Sequence, residues 1–303
     1  MIALVSAPSN LGLRPPQPTS VPGCAKAPEA LREAGLFQRL GELGAVDAGV
    51  VLPGRYADDA APGRLRNQRL IVEHARRLAE RIGALRHAGQ VPLVLGGDCS
   101  LLVAAGLALR RAGRYGLVHL DGHTDFRHPG NSAVCASLAG EDLAAAVGRH
   151  WPAVADIDGL GPYFQPGDAV HAGCRDQDEH LAEVGGLLAM AVPASVIVGG
   201  SAGAVAEQIG AALTRPDLEG YWLHLDVDIL DPGVMPAVDS PDPGGLGPEQ
   251  LTELLGVLAP GAVGAQVTVF DPDLDPDGRH GGLLTELLVE GLRELGSAHQ
   301  DHG

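Results

Sequence analysis

Two short acidic segments carry the chemistry this chain could perform. One reads Asp121-Gly122-His123-Thr124-Asp125 and the other Asp226-Val227-Asp228. Each follows an apolar run that reads as a buried strand, Tyr115 to Leu120 and Gly220 to Leu225. In an extended chain, side chains two residues apart face the same way. Asp121, His123 and Asp125 therefore form one row, and Asp226 and Asp228 another. Carboxylates in this number repel one another unless cations neutralise them. With an imidazole among them they suit hard or borderline divalent ions such as Mn²⁺. By itself, the first segment reads equally as a solvated loop. The second, also directly after a strand, argues against that reading. Asp231, in Leu230-Asp231-Pro232, reads as a ligand or as a turn.

The elements that must position these residues alternate along the chain. Strands are predicted over Met1 to Ser6, Gln90 to Leu95, Tyr115 to Leu120, Ala169 to Ala172, Gly220 to Leu225 and Val263 to Phe270, and Val192 to Val198 reads as a strand or the approach to one. Helices are predicted over Ala27 to Leu40, Asn67 to Ala88, Leu101 to Gly113, Ala133 to Val147, Ala202 to Leu213, Gly247 to Leu258 and Gly282 to Leu295. His299 to Gly303 reads as a frayed tail. Strands alternating with helices predict βα units around a mainly parallel sheet. In such a sheet, ligands bind at the carboxyl ends of the strands. The polar segments Gly97–Ser100, Asp121–Asp125, Gly173–Asp178, Asp226–Asp231 and Asp271–Asp275 all follow strands, so they converge on one edge. No repeat or long linker divides the chain, and residues 1–303 read as a single domain.

Composition limits the alternatives. Only 3% of residues are aromatic, so the core must be built from Leu, Val and Ala. A net charge of −17 argues against nucleic acid or an anionic membrane surface as partner. The four cysteines (Cys24, Cys99, Cys135 and Cys174) form neither a CxxC pair nor a disulfide framework. They read as reduced thiols of a cytoplasmic protein. The N-terminus lacks the pattern of a signal peptide. No stretch approaches the roughly 20 apolar residues of a membrane span.

Three motifs, in order and at matching spacing, resemble the arginase, agmatinase and formimidoylglutamase family of ureohydrolases. Gly96-Gly97-Asp98-Cys99-Ser100 resembles its GGDHS. Asp121 to Asp125 resembles its DAHxD. Asp226-Val227-Asp228-Ile229-Leu230-Asp231-Pro232, followed by Pro241 to Leu246, resembles its DxDxxDP segment and the proline- and glycine-rich stretch after it. The opening segment around Ala7-Pro8-Ser9 and Ala27 to Arg32 is similar too. The resemblance implies a three-layer αβα sandwich and a two-manganese centre. One metal would take Cys99, Asp121, Asp125 and Asp226. The other would take His123 and Asp228, with Asp121 and Asp226 bridging. It further implies a metal-bound hydroxide that attacks the carbon of a small guanidino or amidino substrate, releasing urea or a related amide. A homotrimer or hexamer is the oligomer it suggests.

The chain also departs from that pattern. Cys99 stands where the family has a histidine ligand. A thiolate ligand favours Zn²⁺, Fe²⁺ or Ni²⁺ more than imidazole does; the other reading is an inert buried thiol. The family's loop histidine, which moves protons, is missing from Pro129 to Cys135. Asp125 and His128 are the catalytic candidates, His128 being either a substitute proton carrier or a plain loop residue. Asn131, Asp176, Asp178 and Gln266 are the substrate-contact candidates. Asp176 and Asp178 lie in Arg175-Asp176-Gln177-Asp178, which resembles the family's RDxD. No glutamate occurs on the last strand, where the family grips the guanidinium; Gln266 or Val269 stands there instead. His119 and His224 read as core histidines, His224 alternatively as a donor to a ligand carboxylate. Two functions follow: a binuclear hydrolase of guanidino or amidino C–N bonds, or a catalytically weakened homologue that binds metal or ligand in a regulatory or assembly role.

Overall fold

Residues 1–299 are described by a computed structural model. Eight strands run through them: β1 (Ile2–Ala7), β2 (Val46–Val50), β3 (Val91–Gly96), β4 (Gly116–Leu120), β5 (Ala169–Ala172), β6 (Met190–Val192), β7 (Tyr221–Asp226) and β8 (Ala262–Thr268). They form one sheet in the order β2-β1-β3-β8-β7-β4-β5-β6, with every pair parallel. Parallel strands are covered on both faces, so their sequences are apolar throughout rather than alternating. β3 (VPLVLG) and β4 (GLVHL) are buried at every position.

Side chains two apart divide between the faces. Leu93, Leu95, Val118, Leu120, Leu223 and Leu225 join a core with the helices Ala27–Glu33, Leu36–Glu42, Ala202–Leu213, Pro248–Leu258 and Arg279–Leu292. Val94, Leu117, Ala169 and Trp222 join a second core with Gln68–His87, Leu101–Ala112 and Asp142–Ala146. The result is a three-layer αβα arrangement, as the alternation of elements predicted.

Local chemistry corrects several boundaries. The Ala27 to Leu40 helix is two helices, broken at Gly35, whose φ of 90° is left-handed. Val192 to Val198 is not a strand. Pro193 ends β6 and opens a helix over Ala194–Gly199. Ala133 to Val147 is helical only over Asp142–Ala146. The Glu141 carboxylate accepts the backbone N–H groups of Ala136 and Ser137, which holds the preceding stretch as a loop. β2, one of the two edge strands, had no apolar run to reveal it. The frayed tail lies outside the described residues beyond His299.

Candidate metal centre

The four central strands β3, β8, β7 and β4 deliver the site at their carboxyl ends. After β3 the chain turns at Gly97, where any Cβ would lie 1.6 Å from the Ser9 carbonyl oxygen. That close approach places Asp98 and Cys99 beneath the cleft. Asp98 accepts from Ser9 Oγ at 2.9 Å and from the Ser100 N–H at 2.9 Å. Cys99 is fully buried. Its Sγ lies 2.7 Å from Asp226 Oδ2 and 3.1 Å from Thr268 Oγ1.

After β4 and β7 the acidic rows brace each other. Asp121 Oδ1 accepts the His123 N–H at 2.7 Å, and Asp226 Oδ1 accepts the Asp228 N–H at 2.7 Å. Asp228 Oδ1 accepts the Gly122 N–H at 2.9 Å, tying one loop to the other. His123 Nδ1 is 2.8 Å from Asp228 Oδ2, and its Nε2 is 3.2 Å from Asp242 Oδ2. Asp125 takes a left-handed φ of 45°, a strained conformation of the kind found at functional sites.

Electrostatics mark the cluster. Burial, reinforced by neighbouring carboxylates, pushes Asp121, Asp125 and Asp226 well above the usual carboxylate range. Burial opposes the charge of Asp228 as well, but His123 and the Gly122 N–H outweigh it and hold Asp228 below that range. Burial likewise opposes the charge on His123, yet Asp228 outweighs it and pushes the imidazole up to about 10. A divalent cation reverses this logic, because it stabilises every deprotonated ligand at once. Two donor groups fit such ions: Cys99, Asp121 and Asp125, and Asp121, His123 and Asp228. Each offers three ligand atoms within 4.8 Å of one another. Asp121 is common to both, and its Oδ2 is buried without a hydrogen bond.

Above this centre opens a cleft of about 560 Å³. His123, Asp125, Asp226 and Asp228 line it from below, with Thr124, Asp178, Asp239 and Val269 beside them. Val269 has a left-handed φ of 75°, which is rare for a β-branched residue, and presents an apolar surface there.

The other sequence candidates separate clearly. Asp178 lines the cleft and also accepts from the Thr124 N–H and Oγ1, at 2.9 and 2.7 Å. Asp176 pairs with Ser195 Oγ outside the cleft lining. His128 Nδ1 accepts the Gly130 N–H at 3.0 Å, so its hydrogen sits on Nε2 and goes to Glu183 Oε1 at 3.0 Å. Asn131 binds the Phe126 carbonyl and Glu183, both at 2.9 Å. Neither His128 nor Asn131 lines the cleft. Gln266 is buried beneath the sheet edge. Trp222 Nε1–H donates to its Oε1 at 3.0 Å, so its amide nitrogen donates to His224 Nδ1 at 2.8 Å. His224 therefore carries its own hydrogen on Nε2.

Sequence reading missed the cleft residues Ser137, Ala139, Gly140, Arg14, Arg127 and Asp239. It also missed Asp142, a fully buried acid on the first turn of the Asp142–Ala146 helix. An acid directly abutting the apolar run Leu143–Val147 was the available signal. Arg175 is a brace. Its guanidinium donates to the carbonyls of Asp228 and Asp242, at 3.0 and 2.6 Å, fixing the loop after β7.

Residues 1–292 match the arginase family. Arginase from Bacillus caldovelox is 28% identical over 299 residues, covering 95% of this chain and 96% of its own. Arginase from Agrobacterium fabrum is 30% identical over 287 residues, covering 88% and 85%. The solved structure of the Bacillus caldovelox arginase superposes with a TM-score of 0.84 at 26% identity, covering 97% of each chain. Proclavaminate amidino hydrolase from Streptomyces clavuligerus superposes with a TM-score of 0.70 at 25% identity, covering 98% and 92%.

Proposed function

The chain belongs to the arginase family, and on that premise we propose that it is a binuclear metal-dependent hydrolase of a guanidino or amidino C–N bond. One observation carries the reading: two donor groups sharing Asp121 lie at the carboxyl ends of the central strands β3, β4 and β7, directly below an open cleft. Cys99, Asp121, Asp125 and Asp226 would hold one ion. His123 and Asp228 would hold the other, with Asp121 and Asp226 shared. Divalent ions held there would supply Lewis acidity, making a water acidic enough to act as nucleophile near neutral pH and offsetting negative charge that develops during the reaction. Mn²⁺ is the first expectation for both; Zn²⁺, Fe²⁺ or Ni²⁺ becomes competitive through the Cys99 thiolate.

This chain's own residues would do the rest. Asp125, which lines the cleft, would orient the attacking water. Thr124 is pinned by Asp178, which keeps the Asp121–Asp125 loop in its ligating shape. Asp178 and Asp239 are among the cleft carboxylates that could meet a cationic substrate group, with Glu179 and Asp242, since Val269 offers none. The cleft of about 560 Å³, lined in part by Ser137, Ala139 and Gly140, suits a small molecule. The protein is proposed to work in the cytoplasm as a homo-oligomer. Its four cysteines are free, and none of the described helices is long and apolar enough to cross a membrane.

A second reading rests on Ala139 and Val269. Neither can move a proton or grip a cation, and both line the cleft. On that reading the chain binds metal or a small ligand without turnover. Reloading the purified protein with Mn²⁺, Zn²⁺, Ni²⁺ or Fe²⁺ and assaying urea release from a guanidino panel separates the two. Release that depends on about two ions per chain is expected from a two-metal centre. Full loading with no turnover of any panel member overturns the hydrolase reading.

A further inference from the structure

Outside the proposed donor set, the cleft is lined by the carboxylates of Glu141, Asp178, Glu179, Asp239 and Asp242. Four of them are engaged. Glu141 accepts the Ala136 and Ser137 N–H groups and lies 2.8 Å from His150 Nε2. Asp178 accepts from Thr124, through its N–H and its Oγ1, and from the His180 N–H. Glu179 Oε1 is 3.2 Å from His180 Nε2, and Asp242 Oδ2 is 3.2 Å from His123 Nε2.

Asp239 differs. Among the described residues its side chain meets one partner, Ser240 Oγ at 3.4 Å, which is long for a hydrogen bond between oxygens. It pairs with no cation there. Asp239 is open to solvent within the cleft, yet protein crowds it on most sides. That crowding, with the Asp228 charge next, pushes its carboxyl up to about 6. Asp228, His123 and Asp125, whose charges it feels, all belong to the candidate centre. A nearby cation would favour the ionised form of such a group.

The backbone holds Asp239 in place. Ala237 and Val238 before it are buried, and the Ala237 carbonyl accepts the Asp271 N–H at 2.8 Å. The Val269 N–H donates to the Gly97 carbonyl at 2.7 Å. These anchors set Asp239 and Val269 on joined loops, one beyond β7 and one directly after β8, both lining the same cavity. Val269 closes its side with an apolar surface and can meet no charge. An acid on the neighbouring loop must do so.

We propose that Asp239 is the specificity-determining residue of the cleft, its carboxylate receiving the planar, cationic head of an amidinium or guanidinium substrate. The assignment rests on the hydrolase reading. Two carboxylate oxygens match two parallel N–H groups of such a head, and the charge strengthens both bonds. A ureido compound of the same shape offers the N–H groups without the charge. Hydrolysis turns the cationic head into neutral urea or amide, so Asp239 holds the substrate head more tightly than the product formed from it.

Charge discrimination tests this on the full-length protein. Methylguanidinium and its neutral counterpart methylurea are titrated into Zn²⁺-loaded protein and followed by saturation-transfer NMR. Wild type is expected to bind the cation about tenfold or more tighter, the scale of a hydrogen bond to a charged group. Asp239→Asn should erase that preference, and Asp239→Glu, which keeps the charge, should retain part of it. Should Asp239→Asn fail to fold, Asp239→Ser replaces it in the same titration. An unchanged preference in the neutral variant would overturn the assignment. So would its absence from wild type, or its loss only in Glu179→Gln or Asp242→Asn. Failure of the hydrolase reading would show differently, as no urea release from any panel member with the Asp239-dependent preference intact.

Discussion

Cys99 Sγ lies 2.7 Å from Asp226 Oδ2, close enough for the thiol to donate to a carboxylate that also faces the candidate pair. Burial, with Asp226 next, pushes the Cys99 thiol well above its ordinary range. A cation at this point would have to displace that proton. Once displaced, the sulfur is a soft donor among hard ones.

Cys99→His should therefore move metal preference towards manganese. The expected shift in the Mn²⁺-to-Zn²⁺ loading ratio is roughly tenfold, the scale on which changes around a metal ligand alter affinity. Competition loading followed by metal analysis measures it. Unchanged selectivity and stoichiometry would make Cys99 a bystander.

Stability should depend on metal and pH together. Asp121, Asp125 and Asp226 sit above their unfolded values, and so does His123. Each binds its proton more tightly folded than unfolded, so without metal their contribution is lost as pH rises. Asp228 has the opposite sign. Bound metal requires the deprotonated ligands. The gap in melting temperature between loaded and chelated protein should widen from pH 6 to pH 8 in differential scanning fluorimetry. A gap that narrows would contradict the assigned ligands.

Gln266→Leu should destabilise the fold instead of weakening substrate binding. It strands the Trp222 N–H and His224 Nδ1, each at about 1–3 kcal/mol. Urea unfolding should show a loss of that order. A raised KM with unchanged stability would return Gln266 to the substrate.

His128→Ala tests the proton-carrier role. Loss of a positioned proton carrier typically costs about 10²–10⁴-fold in rate. The contacts of His128 with Glu183 and Gly130 instead predict a stability loss of about 1–2 kcal/mol and a rate within about tenfold of wild type. Measuring kcat alongside the unfolding midpoint separates the two.

The acidic segments were legible because Asp121–Asp125 and Asp226–Asp228 directly follow apolar runs, but the expected extended rows are not formed: Val227–Ile229 is a 3-10 turn and Asp125 takes a left-handed φ, so local turns and not strand periodicity aim these side chains. The buried histidines two residues before them were legible in part. His-Leu-Asp occurs at 119–121 and again at 224–226, but only the parallel register makes the two triplets neighbours. Gln266 was misplaced because it sits one row below the cleft, a matter of depth along β8 that residue type does not encode. Asp142 was hidden in a stretch that reads as helix; the Glu141 carboxylate, by capping the loop before it, decides where that helix begins. β2 was missed because an exposed edge strand has no need of an apolar sequence.

The register of β4 against β7 has a consequence for how the molecule assembles. A slip of one residue between them would keep the sheet hydrogen-bonded yet send His224 and Asp226 to the opposite face. Such a mispaired chain could look folded by its backbone and hold no ion. Metal uptake is thus a proofreading signal for strand alignment, reporting within one measurement whether segments about a hundred residues apart in sequence have found their proper partners.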